Sequence, residues 1–185
     1  MLRDAKDIAA SREKNKAVTG AATRDDRDGG ERQQGRITMA KIYVSSVLPA
    51  AAATVWRIIR DFNALPQWVP AVAESRIEQN MAADQVGCVR NFTLKDGGKL
   101  RERLLALSDH DLSCTYSILE SPMGVDNYIA TLSLTPITDG NETFAEWTAE
   151  FDAAPDREAF LVQDIGTNVF QAAFTSLKQK LVRGA

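Results

Sequence analysis

A single long amphipathic stretch near the C-terminus limits the folds open to this chain more than any other feature. Pro155, Asp156 and Glu158 suit a helix start, Lys178, Lys180 and Arg183 suit its end, and Gly184 follows. Between them Val162, Ile165, Val169, Phe170, Phe174 and Leu177 fall on one broad apolar face, which Ala173 and Leu181 extend. A helix of about 27 residues spans ~40 Å, enough to cross a sheet diagonally. Gly166 inside it costs about 1 kcal/mol against alanine, so it is expected to mark the close approach of a strand or of a ligand.

The preceding residues show what such a helix has to cover. KIYVSSVL, from Lys41, alternates apolar and small polar side chains as a half-buried strand does. Pro49 sets the first turn of a helix through Arg60, whose Ala52, Val55, Trp56 and Ile59 form one stripe. Residues 61–70 hold two prolines and two aromatics and read as a second, short helical turn ended by Pro70. Strands are then expected over 72–79, 86–95, 99–108, 112–120, 127–137 and 143–153. Their links, such as Asp96-Gly97-Gly98 and Asp139-Gly140-Asn141, are short, which implies an antiparallel meander. The fold class is therefore α+β: a curved antiparallel sheet of six to seven strands wrapped around one long helix, with two short helices after the first strand.

Charge divides the chain. Residues 1–38 carry nine Lys+Arg and seven Asp+Glu with scattered aliphatics, a composition that cannot offset its ordering entropy and is expected to form a disordered tail. Met39 directly precedes the first strand-like run and is a candidate translation start. The remainder, 39–185, holds thirteen basic and eighteen acidic side chains and is expected to be the folded domain that carries any ligand-binding function. With a net charge of −3 there is no summed positive field to favour nucleic acid or anionic lipid headgroups. Nowhere do roughly 18 apolar residues run uninterrupted, and no secretory-type apolar block opens the chain, so a cytoplasmic address without stable membrane insertion is expected.

Several chemistries lack their residues. Cys88 and Cys114 have no CxxC spacing and read as buried free thiols. His110, the one histidine, lies in the polar turn Ser108-Asp109-His110-Asp111, where neither a metal centre nor a histidine-based triad finds partners. No GxGxxG, Walker-type or GxSxG motif occurs, so no metal and no cofactor are expected.

One helix underfills a strongly curved sheet. The leftover volume either fills with large side chains or remains as a cavity for a guest. Four stretches bear on the choice: Phe62-x-x-Leu65-Pro66-x-Trp68-x-Pro70, Gly87-x-x-Arg90, Arg101-Glu102-Arg103-Leu104, and Glu146-Trp147 ahead of the long helix. In that order, over about residues 41–182, they resemble the polyketide cyclase/dehydrase and lipid-transport superfamily, the helix-grip proteins that include START domains and birch-pollen-allergen-like proteins. The resemblance implies an internal pocket for an apolar small molecule.

Within that superfamily, residues 87–177 look most like the plant abscisic-acid receptors and their bacterial relatives. By position, Glu102, Tyr128 and Glu146 match the receptors' ligand-holding glutamates and tyrosine. The anchoring lysine is replaced by Val69 and the polar helix position by Ala173. Lys95-Asp96-Gly97-Gly98 and Met123-Gly124-Val125 replace the gate and latch, so hormone binding is not expected.

Strand alternation puts Glu102 on one face with Leu100, Leu104 and Ala106, the concave one. Arg90, sharing its face with Phe92 and Leu94, is its expected partner. Three roles are open to Glu102: an ion pair that only satisfies itself, a ligand anchor, or a general acid/base working with Tyr128. Tyr116 and Tyr128 either present hydroxyls to a guest or simply fill volume. Ile118, Ile165 and Val169 would complete the lining. Glu146 faces inward only if its strand keeps the right register, since a one-residue slip sends it to solvent.

Binding or transport of a lipid-like or polyketide-like molecule, by a monomer or weak homodimer, is the leading expectation. A cyclase or dehydratase using Glu102 and a tyrosine is the second. The third is an accessory protein acting through protein contacts, as the superfamily's methanol-oxidation members imply, with exposed apolar residues on the Gly97 and Met123 loops as its sign.

Overall fold

The computed structural model describes residues 38–183, so the expectations for the charged N-terminal segment lie outside the described residues. The first strand, β1 (Thr38–Leu48), leads into helix α1 (Ala52–Ile59) and a single 3₁₀ turn at Leu65–Gln67. Six strands follow: β2 (Val72–Ile77), β3 (Val89–Leu94), β4 (Lys99–Ser108), β5 (Ser113–Glu120), β6 (Asp126–Ile137) and β7 (Glu142–Ala153). They form one sheet in the order β1-β7-β6-β5-β4-β3-β2. Every neighbouring pair is antiparallel, as the short links require.

Two of the expected strands are shorter than their apolar pattern. The run 72–79 stops at Ile77, because Gln79 and Asn80 adopt positive φ in a tight turn. The run 86–95 begins at Val89, because Gly87, at φ +95°, sits in the bend that leads into the strand. In β4 the pairing shifts between Leu104 and Ala106, so the alternation fails there. Ala106, expected on the concave face, is exposed, and Leu107 takes up the inward pattern opposite Cys114.

The C-terminal helix runs over residues 155–183 as α2 (Pro155–Asp164), a π-helical segment (Ile165–Gln171) and α3 (Ala172–Arg183). The backbone N–H of Ala172 donates to Thr167 O, five residues back. Beside this segment Gly166 faces β1: a Cβ there would meet Ile42 Cγ2 at 3.6 Å and Val44 Cγ2 at 3.8 Å. The close neighbour is thus a strand, at ordinary van der Waals distance. Among the described residues no helix is long and apolar enough to cross a membrane.

Concave side chains of the sheet and the inner faces of α1 and the long helix share one core. Helix α1 is tied down at its far end by Asp109 in the β4–β5 turn. That carboxylate accepts from Trp56 Nε1 at 2.7 Å and from Arg60 Nε and Nη2 at 2.9 and 3.0 Å. Both cysteines are buried free thiols, and burial pushes Cys114 up to about 11. Because the space beside Gly166 takes a methyl group, Gly166→Ala is expected to raise unfolding free energy by up to about 1 kcal/mol in urea titration. A loss of that size would mean that the π-helical backbone needs glycine for a reason other than space.

Candidate functional site: a polar-floored cavity beneath the long helix

Two groups of aromatic rings occupy most of the bowl. Trp147 on β7 lies flat against Phe170 of the π-helical segment, with ring centroids 4.2 Å apart and 4° between planes, and also meets Phe174 and Trp68. Phe62, Tyr116, Tyr128 and Phe151 form a second chain of contacts at 5.7 to 6.5 Å. What they leave is a cavity of about 110 Å³. That is well below the several hundred Å³ of an ordinary ligand pocket, and close to the roughly 150 Å³ that holds a benzene-sized guest.

The cavity has a floor and a mouth. Its deep end is formed by Arg90 on β3, Glu102 on β4, Tyr116 on β5, Tyr128 on β6 and Trp147 on β7, all nearly fully buried. Towards solvent it is walled by the partly exposed Leu94, Ile118, Met123 and Val169, with Ala71 at the rim. Phe92 and Ile165 line the sides.

Arg90 and Glu102 are directly paired across β3 and β4. Arg90 donates to Glu102 Oε2 from Nε at 2.6 Å, with Nη2 at 2.5 Å from the same oxygen, and from Nη1 to Phe62 O at 2.8 Å. Its guanidinium also lies 3.8 Å from the centre of the Phe62 ring. Burial pushes the Glu102 carboxyl upward, and the charge and hydrogen bonds of Arg90 pull it back. Burial likewise raises both phenols, Tyr116 and Tyr128, so each stays neutral at physiological pH. Trp147 Nε1 donates to Tyr116 Oη at 3.2 Å. The floor is therefore polar without net charge.

Nine of the expected site residues converge here: Arg90, Phe92, Leu94, Glu102, Tyr116, Ile118, Tyr128, Ile165 and Val169 all line the cavity. Three do not. Leu104 and Ala173 are completely buried core residues outside the lining. Glu146 is on the outer face of the sheet, where it accepts from Tyr43 Oη at 2.7 Å. Its neighbour Trp147 takes the inward position, and alternation along β7 leaves the carboxylate outside.

Trp147, Phe170, Leu65, Val69 and Met123 line the cavity without having been singled out for it. Trp147 had a usable signal: of two adjacent strand residues on opposite faces, the indole buries more favourably than the carboxylate. Val69 contributes an apolar wall. His110 is exposed, and among the described residues no cluster of His, Cys, Asp and Glu could hold a metal ion. The Gly97 and Met123 loops carry no exposed large hydrophobic side chain.

A second, larger hollow of about 760 Å³ lies against β1, β6 and β7 on the solvent side, with Met39, Tyr43 and Ile129 among its walls. Its ion pair, Lys41 with Glu150 at 2.7 Å, is exposed, and no buried polar group gives it a chemical character.

The family model for polyketide cyclase / dehydrase and lipid transport matches residues 39–182, from the start of β1 to the end of the long helix. The chain belongs to this family. No curated protein matches the sequence. Among solved structures, a protein from Thermobifida fusca superposes with a TM-score of 0.71 at 27% identity, covering 77% of this chain and 93% of its own. The Bacillus cereus protein XoxI gives 0.69 at 26% identity, covering 77% and 96%. Norcoclaurine synthase from Thalictrum flavum, solved with dopamine and hydroxybenzaldehyde, gives 0.65 at 16% identity, covering 93% and 98%, and so shares the helix-grip fold.

Because Arg90 and Glu102 neutralise each other out of water, removing one partner alone is expected to cost about 3–5 kcal/mol, whereas replacing both by apolar residues of similar size costs far less. Urea denaturation of Arg90→Met, Glu102→Leu and the double variant tests this. Additive losses in the double variant would show that the two groups act independently.

Proposed function

We propose that this protein binds a compact, mainly apolar small molecule in the 110 Å³ cavity, entering past Met123 and Val169, and holds it as a carrier. The carrying observation is the contrast between an apolar, partly exposed mouth and a buried polar floor of zero net charge. Such a site orients a guest that has one polar end and cannot accept a fully ionised one. The size of the cavity favours a guest of about one ring, and a longer chain would need the mouth side chains to swing aside.

An acid/base reading with Glu102 and Tyr128 is less well supported. The carboxylate would have to leave two donors of Arg90, and the phenol is held neutral by burial. An accessory role through protein contacts loses the sign expected of it, since the two loops at the mouth present no large exposed apolar side chain.

Titration of the ¹⁵N-labelled protein with toluene checks the proposal. Saturable shifts are expected at amides of the π-helical segment and of β4 and β5. Val169→Trp, which fills the mouth, should remove them while leaving the melting temperature within a few degrees. An absence of saturable shifts in the parent protein, together with a mass free of any co-purified guest by native mass spectrometry, would rule the carrier out.

A further inference from the structure

One polar group in the core is unaccounted for. Trp68 stands at the end of the 3₁₀ turn, 5% exposed, and its Nε1–H is the single buried side-chain nitrogen or oxygen among the described residues without a hydrogen-bond partner. The other two indoles are both satisfied, Trp56 by Asp109 and Trp147 by Tyr116. Native cores rarely leave a buried donor unpaired, and an exception calls for a specific explanation.

Trp68 lines a void of about 20 Å³, large enough for one water-sized group. This void adjoins the cavity already described, because Leu65, Arg90, Tyr116 and Trp147 wall both. A guest filling the larger space therefore has room for one projecting atom beside the Trp68 indole. The remaining walls of the void, among them Ile59, Phe62 and Leu132, are apolar, and Arg90 is already neutralised by Glu102. An anion there would be buried without a countercharge, whereas a neutral oxygen would be matched by the waiting donor.

We propose that the guest carries a neutral hydrogen-bond acceptor, a ketone, aldehyde or ether oxygen, which receives the proton of Trp68 Nε1. This inference rests on the carrier reading and narrows its ligand class from apolar molecules in general to apolar carbonyl compounds and ethers. It also assigns Trp68 as the residue that discriminates between an oxygenated ring and its hydrocarbon counterpart. An unpaired buried donor favours the oxygenated guest, because the hydrocarbon leaves that donor as it was.

The test uses cyclohexanone and methylenecyclohexane, which differ in having C=O or C=CH₂ on the same ring. With the parent protein, cyclohexanone is expected to move the Trp68 indole ¹H–¹⁵N signal downfield, and methylenecyclohexane to leave it nearly in place. The Trp68→Phe variant, which also identifies that signal among the three indoles, should lower the ratio of ketone to alkene affinity by about threefold to tenfold, the worth of one neutral hydrogen bond. If both probes bind, the ratio is unchanged and the indole signal stays put, Trp68 is not the discriminating donor, although the cavity still binds. If neither probe binds the parent protein, the carrier reading falls as well. Should Trp68→Phe fail to fold, the Trp68 indole signal, assigned in the parent protein by its NOEs to neighbouring side chains, decides alone.

Discussion

Trp147 lying flat on Phe170 is the contact on which the rest of the interior depends. A sheet of seven strands has to bury its concave face, and a single long helix supplies most of the cover. The helix meets the sheet at β7, beside the β1 edge, through that ring pair, with Phe174 and Trp68 packed against the same indole. The distance between helix and sheet is thus set by the thickness of stacked rings. Where the rings stop, towards β3 and β4, the space narrows only to the 110 Å³ cavity.

The polar floor follows from the same geometry. A strand pair facing a partly filled interior can carry a charged residue only if its partner is immediately opposite, and Arg90 and Glu102 are direct cross-strand neighbours. The arginine's third contact, to Phe62 O, ties β3 to the segment after α1, and the ring of Phe62 stacks on the guanidinium. A buried ion pair of this kind adds little net stability over an apolar pair, so it is better understood as fixing the register of β3 against β4 and the place of the 61–70 segment. That segment in turn delivers Leu65, Trp68 and Val69 to the cavity and its adjoining void.

How much of this was legible in the sequence depends on whether a local pattern or a packing accident fixed each residue. Strand β4 was read to the residue, and the inward face holding Leu100 and Glu102 followed from period-two alternation alone. Ala106 was misplaced because the shift between Leu104 and Ala106 depends on how β4 and β5 pair, which no single strand encodes. Glu146 was left to the register of β7, and burial preference decides it: the neighbouring tryptophan takes the inward position and the carboxylate the outer one. The reading that one helix underfills the bowl left two outcomes open, large side chains or a cavity, and the interior holds both. That reading counted the helix as the filler and left out Trp147 and Trp68, which approach from the sheet and from the turn after α1.

The π-helical segment is the step least accessible from sequence and the one that shapes the cavity most. In a regular α-helix Phe170 would lie roughly 140° around the axis from Ile165, so the two could not both face the sheet. With roughly 4.4 residues per turn, a π-helix instead brings Val169 and Phe170 to either side of Ile165, on one face. That is the arrangement observed: all three line the cavity, with Phe170 against Trp147 and Val169 at the mouth. Gly166, next in the chain, lies against Ile42 and Val44 of β1 with room left for a methyl group. The widened turn thus turns one extra apolar residue inward without lengthening the helix, and the cavity owes its inner wall to that single change of pitch.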